Sequence, residues 1–498
     1  MGRGKKTVRS RVPHFPRGDA RIYPLPERRP YRRRAGAGMR QTARHDVVFV
    51  AGTAGEHELT WSQKAHEREG CRPHLHGPRN RNVRMGRALD GRPDMSAVLR
   101  AFAAVMAHFE ALRTLYPRDA DGHPRAVVVA SGVLRIDEYA CDAPPTDDEL
   151  SAFTLRLAEP GFAPDDLPLR AAVITADGRP IHIALSLHHF SADTTGARIA
   201  AEHIARLAAD PGADLGSGWQ PRQIASFEAS PSGLRHAHRV DTHDRAMLRR
   251  SAMPELQAPP GHRAAVYNFV CLDSAAVALA AAALAKQYRT SAGAVLHAAY
   301  ARTLAEHLGI GTCVFNTVMP NRQTTFAREA VAHIAGRALV PVDTSLGGDR
   351  FPALCRAVDA ALVRSSSVSL REPDRYARSL DEVSAELGRS AHNPYVVNIR
   401  PIAPRTLIRA RADRAPQDLD RAMASSRYRR FPKPVDAYSG NLSFDVWGMS
   451  ETAGISLGTD ATSFDATDLE QILRSFESRL VAAAIGGHAA RSGSFAGA

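Results

Sequence analysis

Cysteine is scarce in this chain. Five are scattered through 498 residues as Cys71, Cys141, Cys271, Cys313 and Cys355, an odd number that never falls at ligand or disulfide spacing. That excludes a small disulfide-stapled scaffold and a cysteine zinc site, and it points to a reducing, cytoplasmic compartment. Long hydrophobic runs are missing too. The longest, AAVALAAAALA at 275–285, has 11 residues and is too short to cross a bilayer. No glycine-rich phosphate loop precedes a helix, so a nucleotide site is unsupported. His74/His76 and His236/His238 sit in loop-like sequence with no third and fourth ligand nearby, so no metal site is expected. Lysine supplies only five of the 65 basic residues, which together with abundant alanine reflects coding bias.

Acidic residues are what the N-terminus lacks. Residues 1–45 carry 14 Lys/Arg against Asp19 and Glu27, so twelve of the thirteen net positive charges sit there and the rest of the chain is nearly neutral. The segment is rich in Arg, Pro and Gly and has no helical or strand period, so it reads as a disordered tail. It also lacks the apolar core, about 7–15 residues, of a secretory signal. Two readings stay open: a basic arm, or sequence upstream of a true start at Met39. Under either one, neither nucleic acid nor a membrane is an expected partner of the folded part.

What is present is ordinary for a globular protein, 44% hydrophobic and 23% charged residues. The length calls for two or three structural units. VVFVAG (47–52), NVRMG, RAVVVA (125–130), LRAAVITA (169–176) and IHIALSL (181–187) read as strands, the last two joined by an Asp177-Gly178 turn. Val98, Leu99, Phe102, Val105, Met106, Phe109 and Leu112 recur at helical spacing behind an Asp94 cap. A second helix is expected from Asp193. The polar stretch 229–264 reads as a linker with at most one short helix.

Beyond that stretch the style repeats. Strands are expected at 266–272, VFNTVMP, 337–343, 394–401 and 441–447, and helices at 274–288 and 291–308. A last helix is expected from Thr467, capped by a Thr467/Glu470 box. The expected organisation is a tail (1–45), an N-terminal lobe (46–228), a linker (229–264), a C-terminal lobe (265–488) and a disordered end (489–498). The chain is expected to be a monomer.

IALSLHHFSADTTG places two histidines at the end of an apolar strand and an acid four residues beyond the second. If the extended conformation persists, His189 points with the apolar row Ile181, Ile183, Leu185 and Leu187, and His188 points away. A histidine held by rigid structure at a strand end can accept a proton near neutral pH and so can activate an amine or hydroxyl. Read from the residues alone, space filling and catalysis both stay open. Asp193 can cap the following helix or pair with a distant arginine.

HHFSAD resembles the HHxxxD part of the HHxxxDG signature of nonribosomal-peptide condensation domains. Three further stretches are similar to that family in the same order: ELTWSQKAHE (58–67), ALDGRPDMSAVLRAFAAVMAHFEALRTLY and VFNTVMPNR (314–322). The resemblance spans roughly residues 46–485. It implies an α/β fold of two chloramphenicol-acetyltransferase-like lobes in a V-shaped pseudodimer with a central tunnel. It implies acyl transfer from the phosphopantetheine arm of a carrier protein, met in trans, to an amine or alcohol acceptor. Coenzyme A is the alternative donor, a non-catalytic carrier-binding role is the other alternative, and no cofactor is bound by the chain itself.

Carried over, the resemblance makes His189 the catalytic base or nucleophile-positioning group and His188 structural. Asp193 becomes a loop-shaping acid paired with Arg322, and Asn398 a candidate oxyanion donor. Two positions depart from the family pattern. Thr194 replaces the signature glycine, where a positive φ would strain a β-branched residue. Phe109 stands at a usual histidine. SFDVWG is similar to the DFGWG loop of plant-type acyltransferases. IGGHAARSG (485–493) has Ala489 where a carrier protein needs its attachment serine, so it is not read as a carrier motif.

Overall fold

The computed structural model describes residues 38–70, 82–257, 263–346, 351–400, 416–437, 440–449 and 452–494. Cys71 and the His74/His76 pair lie outside these ranges. The strands fall into two main sheets that do not share a strand, one before residue 190 and one after residue 260.

The first sheet has the order β1-β6-β7-β8-β3, with β1 Met39–Val50, β3 Val83–Ala88, β6 Ser131–Cys141, β7 Leu169–Ala176 and β8 Arg179–Leu187. Only β6 and β7 run parallel. β1 shows why a half-buried strand alternates: Val47 and Phe49 are buried while Val48 and Val50 face out. Helices Met95–His108 and Thr194–Ala209 cover one face and bury Val98, Phe102, Val105, Ile199 and Ile204 against it. Three short strands, β2 Gly55–His57, β4 Thr114–Leu115 and β5 Ala126–Val128, form a small side sheet.

The second sheet has the order β11-β10-β12-β14-β15-β9-β13. Its strands are β9 Arg263–Ser274, β10 Thr312–Met319, β11 Gly336–Asp343, β12 Tyr395–Ile399, β13 Arg427–Ala437, β14 Leu442–Met449 and β15 Ala453–Thr459. Helices Ala275–Tyr288 and Ala292–Leu308 are almost wholly buried, which is why they read as near-continuous apolar runs rather than as stripes. Among the described residues no helix is long and apolar enough to cross a membrane.

The structure moves several expected boundaries. β1 begins at Met39, inside the segment expected to be tail, because its backbone pairs with β6 from Met39 to Cys141 onward. The expected linker is mostly one helix, Pro231–Arg250, capped by Ser230. Its buried positions Gly233, Ala237, Val240, Asp244 and Met247 keep helical spacing, but only two of them are large and apolar. Met247 and Leu248 join the second core, and Asp244 is held by Arg371 at 2.7 Å. His236 and His238 therefore lie on a helix, not in a loop.

The last helix spans Ala466–Ser494 and continues past the expected end of order at 488. Its cap is Asp465, which accepts from the Thr467 and Asp468 amides, and not the expected Thr467/Glu470 box. Glu470 pairs with Arg430 and Arg474 instead.

The excursion between β10 and β11 tells most about the site. Residues 320–335 leave the second sheet and pack on the first lobe. Val331 enters the first lobe's core, and Ala327, Ala330, Ala332 and Ile334 close around Ile224. The Trp219 amide donates to the Phe326 carbonyl at 3.1 Å. This segment is the inter-lobe contact on which the histidine motif rests.

Candidate functional site

β8 stops at Leu187. The His188 amide still reaches the Pro168 carbonyl at 2.9 Å, and the chain then turns, with the Ser191 amide donating to the His188 carbonyl at 2.9 Å. The direction of His189 is thus set by this turn and not by continued strand alternation. Both histidines are half-buried, in different surroundings. His188 lies among Tyr116, Phe162 and Phe190, with Tyr116 stacked at 5.5 Å. Its Nδ1 accepts the Phe190 amide hydrogen at 3.2 Å. Burial pushes its pKa down to about 4, helped by the neighbouring His333 and Arg170, so the ring is neutral at pH 7.

The turn is anchored from every side. Gln63 donates to the Phe190 carbonyl at 2.7 Å, and the Ser191 hydroxyl donates to the Ala111 carbonyl at 2.5 Å. Gln63 also closes a reciprocal cap with Thr60 at the start of helix Trp61–Gly70, which fixes that helix against the motif. The Trp61 amide donates to buried Glu228 at 2.7 Å.

Asp193 and Arg322 meet at 2.8 Å with side chains only 7% and 6% exposed. Asp193 Oδ1 also accepts the Gly196 amide at 2.8 Å, capping helix Thr194–Ala209, while Oδ2 accepts the Ile334 and Ala335 amides at 3.1 and 3.0 Å. The Arg322 Nη atoms also donate to the carbonyls of Ala327, Ala330 and Ala332. Burial raises the Asp193 carboxyl, but Arg322, His333 and these amides outweigh it and hold the group below its ordinary value. The acid therefore ties three things together: the motif, a helix start and the segment from the other lobe.

Thr194 is the first residue of that helix and is not among the residues with positive φ, so the expected strain does not arise. The glycine requirement sits two residues later. A Cβ on Gly196 would lie 2.8 Å from the Ala332 carbonyl oxygen and 3.0 Å from its nitrogen. We expect Gly196→Ala to destabilise the protein by about 1–3 kcal/mol, read as a lowered melting temperature. Thr194→Gly should cost at most about 1 kcal/mol.

Asn398 is not brought to the histidines by any described contact. It lies on β12 opposite Asp445 of β14, and its amide donates to that carboxylate at 3.0 Å. Phe109 is buried at the end of helix Met95–His108, and its ring lies 5.4 Å from that of His203.

Two residues without an expected role stand closest to His189. The ring centroids of His66 and His333 lie 4.6 Å from that of His189 and 5.2 Å from each other. His66 comes from helix Trp61–Gly70, and His333 from the inter-lobe segment. His333 Nδ1 is 2.6 Å from the His189 carbonyl and 3.1 Å from His189 Nδ1. A carbonyl only accepts, so His333 carries its hydrogen on Nδ1, directed at the His189 carbonyl. The only sequence signal for them was weak: His66 falls inside ELTWSQKAHE, and His333 interrupts the apolar stretch AVAHIAG.

No protein-family model and no curated protein sequence matches the chain. Solved structures do. The condensation domain that mediates chain release from the enacyloxin polyketide synthase matches with a TM-score of 0.64 at 16% identity, covering 86% of this chain and 82% of that one. SgcC5 of Streptomyces globisporus, in complex with a naphthyl-ethanediol and sucrose, matches with a TM-score of 0.63 at 17% identity over 86% and 98% of the two chains. A substituted starter condensation domain of the rhizomide synthetase RzmA, in complex with C8-CoA, gives 0.59 at 12% identity over 86% and 94%.

The fold is therefore of the two-lobed, chloramphenicol-acetyltransferase-like α/β class. Within that class it is the condensation-domain fold, with the HHxxxD stretch at the end of β8 and its acid locked to the second lobe.

Proposed function

We propose that the protein is a condensation-type acyltransferase. It takes an acyl group from the phosphopantetheine thioester of a carrier protein, met in trans, and transfers it to an amine or alcohol in natural-product assembly. The observation that carries this reading is His189, held at the lobe junction by a turn that Gln63, Ser191 and the Asp193–Arg322 pair anchor. A half-buried imidazole so placed can orient a nucleophile and take up its proton as it attacks the thioester carbon. The thiolate leaves, and amide or ester forms. Asp193 and Arg322 act at a distance from the chemistry by shaping the turn. His188, neutral and stacked, packs the motif against Tyr116.

A hydroxyl acceptor is supported by SgcC5, whose solved complex holds a diol. Coenzyme A as donor is supported by the RzmA domain, whose complex holds an acyl-CoA. Purified full-length protein offered acyl-carrier and acyl-CoA thioesters, each with amine and alcohol acceptors, separates these readings. We expect acyl transfer above the uncatalysed rate from the carrier-bound donor, read by intact mass of the carrier and by product. Transfer from coenzyme A alone would overturn the carrier assignment. Transfer from neither donor would overturn the enzymatic reading.

A further inference from the structure

His66, His189 and His333 each offer a ring nitrogen, and these nitrogens all lie within 4.8 Å of one another. The three residues are dispersed in the sequence and come from a helix, the motif turn and the inter-lobe segment, so neither spacing nor composition reveals the cluster. Packing apolar surface does not account for three imidazole rings converging at centroid distances of 4.6–5.2 Å. An unprotonated imidazole offers one lone pair, and a cation is a partner that all three rings can share.

We infer that these three histidines form a site for one divalent metal ion of the zinc class, and that filling it suppresses acyl transfer. Imidazole nitrogens suit zinc, copper and nickel rather than magnesium or calcium, which take oxygen ligands. Bonds of about 2.0–2.1 Å place tetrahedral ligands about 3.4 Å apart. The ring nitrogens, all within 4.8 Å of one another, come to that edge by ring rotations. Three protein nitrogens leave a fourth position for water or for a thiol. The contact of His333 with the His189 carbonyl is the kind of outer hydrogen bond that orients a ligating ring. An ion bound here takes up a lone pair of His189, the group the proposed reaction needs, so this second part of the inference rests on that reading. Because His333 belongs to the segment from the second lobe, the ion would also tie the two lobes together.

The test uses the full-length protein, stripped of metal and titrated with Zn2+ against a chromophoric chelator. One equivalent should bind, and Co2+ in its place should give the visible absorption of a four-coordinate site. His66→Gln and His333→Gln should each weaken binding at least tenfold with melting temperatures kept. His66 is half-buried on a helix, so it serves as the variant that folds if buried His333 does not tolerate change. No stoichiometric binding, or equal affinity in both variants, overturns the site. Acyl transfer by the wild type should fall at one equivalent of Zn2+ and return with chelator. Undiminished transfer with the site filled overturns the inhibitory part. Binding without transfer under any condition leaves the metal site standing and removes the acyltransferase reading, and transfer without binding does the reverse.

Discussion

Replacing His189 by alanine should lower kcat/KM for acyl transfer by about 10²–10⁴-fold, the range over which a positioned proton acceptor contributes. The loss should fall on kcat, since a proton acceptor for the attacking group acts in the transition state. Folding should be little affected. His189 is half-buried, and its side chain meets other rings rather than the apolar core of either lobe. Glutamine, which keeps a hydrogen-bonding group but cannot take up a proton at pH 7, separates the two contributions. Recovery in His189→Gln of most of the rate lost in His189→Ala would mean that orientation of the nucleophile is the larger part. An undiminished rate in both variants would remove His189 from the reaction. Replacing His188 gives a different pattern. That ring is neutral and packed on Tyr116, so its loss should first appear as a lower melting temperature.

How far the site was legible in the sequence follows from how local each interaction is. The strand LRAAVITA, its Asp177-Gly178 turn and the helix from Asp193 depend on neighbours in the chain, and they form where expected. The Asp94 cap is likewise local and is present, with Asp94 accepting from the Ala97 amide at 2.6 Å. β6 and β13 escaped because their sequences, SGVLRIDEYAC and RYRRFPKPVDA, are too polar to alternate cleanly. Pairing with long neighbouring strands holds them in place. The helix Pro231–Arg250 escaped because its inward stripe is built from Gly233, Ala237 and a buried Asp244 whose charge is balanced 127 residues away by Arg371.

The same reasoning covers the site itself. Strand parity set His189 apart from His188, yet β8 ends at Leu187, so parity could not say where either ring points. The turn that does decide it rests on Gln63, Ala111 and Arg322, none of them a neighbour in the chain. Asp193 and Arg322 could be paired only through family resemblance, since 129 residues separate them. His66 lies in a family-like stretch but carries no role there, His333 lies in none, and only the folded chain sets them beside His189.

Breaking the Asp193–Arg322 pair should have the largest effect on stability. Arg322→Met leaves a fully buried carboxylate without its cation, and losing one member of such a pair costs about 3–5 kcal/mol. The three amides that still point at Asp193 place the expected loss toward the lower end of that range. Asp193→Asn should cost less than Arg322→Met. An asparagine oxygen still accepts from the Gly196 amide, while its NH2 group faces amide donors and opposes the Ile334 and Ala335 contacts.

The dependence on pH follows from the lowered carboxyl. Its folded pKa lies below its unfolded one, so the pair's contribution is complete above the unfolded value of about 3.9 and is lost as pH falls through the folded value. The variants should therefore melt well below the wild type at pH 7, and the gap should narrow as the solution is acidified below pH about 4. Since the pair holds residues 330–335 on the first lobe, the damage should not stay local. Protease sensitivity should appear first in the 320–335 segment, and acyl transfer should fall with His189 itself intact. A melting temperature unchanged in Arg322→Met at neutral pH would mean that the amides alone hold Asp193, and that the arginine is not the lock between the lobes.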